Sequence, residues 1–351
     1  MILQATSKLL SRTSHLFQRR HHLFHHHYRL STTASDSFPT SFKEKFVPFH
    51  KDEGGTDWYD QGRSLVCAIV PTLEDNYCFI IQCNNITKIL VDPADPLTVK
   101  QSLDRLHTEV PRGLEAILTT HKHSDHTGGN FSLCQMFNGT FVGSSGQLAK
   151  DQTGQDHVVQ VYGPKNDGPI PNMTHPVKGG DSFQLAGSAI VINVLDTPYH
   201  TSGHISYLVE KRGCPPALFC GDSLFVGGCG RFFEGTGKDM VRTFKKFKRL
   251  RKDTEVYCGH EYTLSNLEFA LSVDPDNVRL QQKYEWAVDR RKEGLPTVPS
   301  TIGDELEYNP FMRCDAPEIQ EAVGGVPEGI KKGMDTEAYV ADRLREMKNS
   351  F

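Results

Sequence analysis

Short runs rich in apolar and β-branched residues recur at 64–70, 78–83, 88–91 and 114–120, and again at 189–195, 204–210, 217–220 and 255–257, each bounded by turn residues. Runs of this length, broken by helical stretches, predict the strands of an α/β sheet domain. They form two series on either side of a middle loop region, so the pattern allows two sheets or one large one. After His260 the period changes. Helical stretches are predicted at 264–272, 278–293 and 336–348. Asp274-Pro275-Asp276-Asn277 offers caps ahead of Val278, and Gly294 stops that helix after Arg290-Arg291-Lys292. In the Pro-containing connector 296–310, Thr301 and Asp304 stand at capping-box spacing. The organisation expected is a sheet domain over 64–262 and a helical domain over 263–351, without internal repeats.

The apolar runs, such as 76–81 and 89–91, fall far short of the roughly 20 residues needed to cross a bilayer, so no membrane span is expected. The first 35 residues differ in kind. They carry Lys8, Arg12, Arg19, Arg20 and Arg29 among many Ser, Thr and His, with no acid before Asp36. That is transit-peptide composition, and the excess of Arg over Lys favours the mitochondrial matrix over the plastid. Residues 36–63 then read as a linker. Setting those five bases aside leaves 34 Lys and Arg against 43 Asp and Glu, a formal charge of −9. Such a chain is a poor general binder of nucleic acid. The eight bases of 238–252 sit above Val241, Phe244, Phe247 and Leu250 at helical spacing, which reads as a solvated helix face. Nine cysteines without a Cys-x-x-Cys pair give neither a disulfide framework nor a zinc ribbon.

The densest chemistry is His121-Lys122-His123-Ser124-Asp125-His126. A strand ending at Thr120 would send His121 and His123 to one side, since alternate residues of an extended chain face the same way. Asp125 and His126 follow at a turn and aim at a second point, and Gly128-Gly129 let the backbone bend. Imidazoles with one carboxylate suit zinc, iron or manganese rather than calcium or magnesium. His200, Asp222 and His260 each close a predicted strand and open a loop, where sites are usually built.

Five motifs stand in order: Val91-Asp92-Pro93, the run from His121 to His126, Thr197-Pro198-Tyr199-His200-Thr201-Ser202-Gly203-His204, Gly221-Asp222-Ser223-Leu224-Phe225, and Cys258-Gly259-His260-Glu261-Tyr262. With them, from residue 64 to the end, the chain resembles metallo-β-lactamase-fold proteins, and among these the hydroxyacylglutathione hydrolases, or glyoxalase II family. The resemblance implies an αββα sandwich followed by a C-terminal α-helical domain. It implies two divalent metal ions, one on His121, His123 and His200, a second on Asp125, His126 and His260, with Asp222 between them. Asp92 would support the ligand loops, and His204 would be a structural histidine.

Two metals sharing a carboxylate can share a water and bring its pKa near 7. The implied reaction is hydrolysis of an S-(2-hydroxyacyl)glutathione such as S-D-lactoylglutathione, with Asp125 and Asp222 as catalytic carboxylates around the metal-held hydroxide. Cys220, Cys229 and Cys258 then read as packing residues. The segment Gly227-Gly228-Cys229-Gly230-Arg231-Phe232-Phe233-Glu234-Gly235, Tyr262, the stretch 308–313 and Arg345-Glu346-Met347-Lys348 resemble the glyoxalase branch. They imply that Arg231, Phe233, Tyr262, Arg345 and Lys348 bind glutathione, whose carboxylates suit cations. The family often has Lys where this chain has Arg231, and Tyr where it has Phe233, whose ring cannot donate a hydrogen bond. A single-iron persulfide dioxygenase and a non-catalytic metal-binding scaffold are the competing readings; the former would not need the helices after Tyr262. A monomer is expected.

Overall fold

The computed structural model describes residues 66–82, 88–105, 114–138, 158–185, 188–330 and 332–351. The expected transit peptide (1–35) and linker (36–63) lie outside the described residues. The strands are β1 (Val66–Thr72), β2 (Asn76–Gln82), β3 (Lys88–Val91), β4 (Leu114–Leu118), β5 (Gln160–Pro164), β6 (His175–Val177), β7 (Ser182–Gln184), β8 (Ile190–Asp196), β9 (Ile205–Lys211), β10 (Ala217–Gly221), the short hairpin β11 (Leu224–Phe225) and β12 (Gly228–Cys229), then β13 (Glu255–Cys258) and β14 (Ser300–Thr301). Two six-stranded sheets result, in the orders β1-β2-β3-β4-β5-β6 and β14-β13-β10-β9-β8-β7.

Alternation along the strands sorts side chains into layers. In the first sheet Cys67, Ile69, Phe79, Ile81, Ile89, Val91, Ala116 and Leu118 face the second sheet's core. Ala68, Val70, Cys78, Ile80, Leu90 and Ile117 face the other way, into a layer with Val99 and Leu103 of helix Pro96–Arg105 and Leu133 of helix Asn130–Phe137. Both faces being buried explains why these strands read as nearly continuous apolar runs. Phe79 crosses the interface, its ring centroid 5.4 Å from Phe219 and 5.3 Å from Tyr257. Each such aromatic pair contributes about 0.5–1.5 kcal/mol beyond area burial. Helix Gly237–Phe247, capped by Thr236 and Asp239, buries Met240, Val241, Phe244 and Phe247 and packs on the last helix, Met334–Ser350. The αββα sandwich is thereby complete.

The helical region begins at Thr263, with helices Thr263–Val273, Val278–Lys292, Ile302–Tyr308, Pro317–Ala322 and Met334–Ser350. Asn277 accepts the Leu280 N–H and Thr301 the Asp304 N–H, the caps the sequence predicts, and Gly294 adopts a φ of 69°. Leu267, Phe269, Leu280, Phe311 and Leu344 belong to the same buried cluster as the sandwich interior, so the helices share its core. The helix ends at Phe247, so only Lys238, Arg242, Lys245 and Lys246 of the basic run lie on it and Leu250 falls beyond; Lys238 pairs with Asp335, Lys245 with Glu337 and, past the helix, Lys248 with Asp315. No helix among the described residues is long and apolar enough to cross a membrane.

Candidate metal centre

Every sequence-predicted ligand sits just past the C-terminal end of a strand or on the turn that follows. The strand leading to the run from His121 to His126 ends at Leu118, two residues before the predicted end, and Asp125 and His126 ride on a one-turn helix, Ser124–Thr127. His121 and His123 therefore do not converge by simple alternation. They present different ring nitrogens, His121 Nε2 lying 3.0 Å from His123 Nδ1, with His200 Nε2 a further 3.1 Å from that Nδ1. The glycine pair also acts differently from expectation. Gly129 has ordinary helical dihedrals, and what demands glycine is space, since a Cβ there would lie 2.2 Å from the Pro93 carbonyl oxygen.

The second set is equally tight. His260 Nε2 lies 3.4 Å from Asp125 Oδ2 and 3.4 Å from Asp222 Oδ2, and His126 Nε2 lies 3.6 Å from Asp125 Oδ2 and 3.3 Å from Asp222 Oδ1. Asp222 Oδ2 is also 3.4 Å from His200 Nε2, so this carboxylate stands between the two sets. Candidate ligand atoms gather as His121/His123/His200, Asp125/His126/His260 and His121/His126/Asp222. Bonds of 2.0–2.1 Å to a tetrahedral ion place neighbouring ligand atoms about 3.3 Å apart, which is the spacing found. His126 Nε2 and Asp222 Oδ1 are buried without a hydrogen-bond partner in the protein. Orphaned buried polar atoms at such spacing fit a cation between them.

Outer partners fix the tautomers. Thr120 donates its hydroxyl to Asp92, leaving its oxygen to accept from His121 Nδ1 at 3.0 Å. His126 Nδ1 donates to Asp92 (3.0 Å), His260 Nδ1 to Asp75 (2.8 Å) and His200 Nδ1 to the Arg231 carbonyl (3.1 Å). Each Nε2 lone pair is left facing the centre, the usual outer shell of a metal-binding histidine. Burial and the neighbouring imidazoles push His121 well below its ordinary pKa. Burial works the same way on His126, yet Asp222 and Asp92 outweigh it and raise that ring to about 10. Burial opposes ionisation of Asp222, but His260 and His126 hold it well below the carboxylate range. An ion entering the second set must therefore displace protons.

His204 lies outside these groupings. Its Nε2 accepts the Asp222 N–H at 3.2 Å and its Nδ1 faces Thr197, so it holds the loop carrying Asp222. The sequence singles out neither Asp75 nor Asn76, which opens the apolar run 76–81, yet Asn76 Nδ2 donates to Asp125 Oδ2 at 3.2 Å. Burial pushes the Cys229 and Cys258 thiols up to about 12, as suits packing residues.

Comparison with known proteins decides the family. Residues 71–260 match the metallo-beta-lactamase superfamily and residues 261–351 the hydroxyacylglutathione hydrolase C-terminus. The cytoplasmic hydroxyacylglutathione hydrolase of Arabidopsis thaliana is 44% identical over 283 residues, 80% of this chain and 95% of the relative. The chain belongs to the hydroxyacylglutathione hydrolase family. A relative of that name from Synechococcus is 40% identical over 80% of this chain and 98% of its own length, and one from Halorhodospira halophila is 43% identical over 71% and 86%.

The residues that the family resemblance assigns to substrate lie in two groups. Phe233 (60% exposed) and Tyr262 (38% exposed) flank the cage: Phe233 sets its ring 5.1 Å from that of His200, and Tyr262 stacks on His260 at 4.7 Å. Arg231 is exposed beside Phe232, while its carbonyl anchors His200. Arg345 and Lys348, on the last helix, have protein partners. Arg345 is only 8% exposed and donates to the Cys229 carbonyl at 3.1 Å, and Lys348 donates to the Ser265 carbonyl at 2.5 Å. They tie the last helix to the glycine-rich segment and to helix Thr263–Val273.

Proposed function

We propose that this chain hydrolyses the thioester of S-(2-hydroxyacyl)glutathiones such as S-D-lactoylglutathione, releasing glutathione and a 2-hydroxy acid, in the second step of methylglyoxal detoxification. The observation that carries the reading is the convergence of His121, His123, His200, Asp125, His126, His260 and Asp222 in two adjoining sets within a chain of this family. Those sets would hold two divalent ions, zinc fitting the imidazole-rich donors best, with iron or manganese acceptable to the same ligands. When bound, such ions supply an acidified water and an electrophile for the acyl oxygen.

The chain's own residues do the rest. Asp125 and Asp222, held as carboxylates, accept hydrogen bonds from the attacking water and orient it. Water adds to the acyl carbon, the C–S bond breaks, glutathione leaves as a thiolate and the acid as its carboxylate, and the two protons of the water pass to solvent. An ordinary thiol has a pKa near 8.5, so no strong acid need protonate it first. Tyr262 and Phe233 wall the entrance, while Arg231, Arg345 and Lys348 offer positive charge to the glutathione carboxylates. The helical region from residue 263 is read as the glutathione-binding part, residues 64–262 as the catalytic part, and residues 1–35 as a mitochondrial targeting segment on an otherwise monomeric enzyme. Purified protein should contain close to two metal ions per chain and convert S-D-lactoylglutathione to D-lactate. A chain that holds metal and leaves the thioester intact would refute the reading. Fusing residues 1–35 to a fluorescent protein tests the targeting.

A further inference from the structure

The two ligand sets share one support, Asp92, which reaches His126 directly and His121 through Thr120, but a further support serves a single set and lies in a turn outside every motif. Asp167 follows β5, is 1% exposed, and makes three hydrogen bonds. Its Oδ2 accepts the Lys122 N–H at 2.8 Å and the Thr201 hydroxyl at 2.9 Å, and its Oδ1 accepts the Gly203 N–H at 2.9 Å. Lys122 lies between His121 and His123, and Thr201 follows His200. One buried carboxylate thus spans the two loops that carry all three histidines of one set. The contact extends to the backbone: a Cβ on Gly203 would lie 2.6 Å from the Asn166 carbonyl and from Asp167 Cα. Asp125, His126 and His260 take their bonds from Asn76, Asp92 and Asp75, of which Asp92 also reaches His121 through Thr120, and no described hydrogen bond joins them to Asp167.

We propose that Asp167 is a positioning residue for the His121/His123/His200 set alone, fixing the separation of its two loops and so its affinity for metal. The inference rests on the proposed function, because it presumes that this set binds a cation. Its carboxylate is satisfied by three dipoles of fixed direction, so the bridge sets geometry rather than charge. In D167N the amide nitrogen cannot accept, and the N–H and hydroxyl now on Oδ2, or the N–H on Oδ1, lose their partner. T201V removes one of the three bonds and leaves Asp167 in place.

The test is cobalt(II) titration of the metal-free chain against a chromophoric chelator, with H200A as the reference that lacks a ligand of this set. In D167N one of two binding steps should weaken by about 10-fold or more, the range typical of outer-shell partners. The other step should match the one that survives in H200A. T201V should shift the same step in the same direction by less, and the thermal midpoint of metal-free D167N should stay close to that of the unmodified chain. Two steps of unchanged affinity in D167N would overturn the inference and leave the proposed function standing. So would equal weakening of both steps with a lowered metal-free midpoint, which is what a general structural role gives. An unmodified chain that bound no cobalt would overturn the proposed function and this inference with it.

Discussion

The candidate metal cage and the group of residues proposed to meet glutathione are held in opposite ways. Around the cage, seven candidate ligand residues stand past strand ends of the two packed sheets. Four of the five histidines there have their second nitrogen occupied by Thr120, Asp92, Asp75 or the Arg231 carbonyl. Beside the cage, Phe233 and Tyr262 are partly exposed, and on the last helix Arg345 and Lys348 spend hydrogen bonds on the protein itself. Rigid ligands favour a fixed reaction geometry, whereas the surface side can vary without touching it. The difference predicts that substitutions in the first region act on kcat and metal content, and those in the second on KM.

The largest effect is expected for His123→Ala, whose Nδ1 is within 3.1 Å of both His121 and His200 nitrogens. Turnover should fall by more than the roughly 100-fold that marks the upper range for outer-shell partners, with metal lost from the chain, as kinetics and metal analysis would show. Arg345→Ala should raise KM about 10-fold, the scale of one charge-assisted hydrogen bond, with kcat changed little. It should also lower the thermal midpoint, because the Cys229 carbonyl loses its donor. Equal losses of kcat in both variants would break the division between the regions.

Lys348 gives a pH signature. Burial and the Arg345 cation push its ammonium down to about 8 against an ordinary 10.5, with Glu268 opposing them. Its charge is lost as pH rises through about 8, so KM for the thioester should climb there while kcat stays flat. Since the folded pKa is the lower one, the unfolded chain binds more protons between about 8 and 10.5, and fold stability does not fall from this group over that range. A rising KM then reports a lost contact rather than unfolding. Lys348→Met should flatten the profile. The smallest effect belongs to Phe233→Tyr, where one added hydroxyl donor should lower KM by roughly 2- to 10-fold, the worth of about 0.5–1.5 kcal/mol. An unchanged KM would place the position away from bound glutathione.

Much of the cage was legible because its ligands are chemically distinctive and close in sequence order to strong strand signals. Residues 88–91 and the start of the strand at Leu114 are where the apolar pattern puts them, since strands buried on both faces are unmistakable runs. β5, β6 and β7 carried no such signal: they are short, and Gly163, Pro164 and Pro176 interrupt them. Helix Asn130–Phe137 was hidden behind the glycine pair. The supports of the cage were harder still, because Asp75, Asn76 and Asp167 matter through partners 34 to 185 residues away, and one chain's spacing carries no trace of such pairings. Arg345 was legible as a cation but not as a clamp on the Cys229 carbonyl, which depends on how the last helix packs.

The most direct test of the central claim is to add zinc stepwise to metal-free protein and follow S-D-lactoylglutathione hydrolysis at each addition. Hydrolysis should rise with loading and level off at about two equivalents per chain. Absence of thioester hydrolysis at every loading, in protein shown to have bound the zinc, would contradict it.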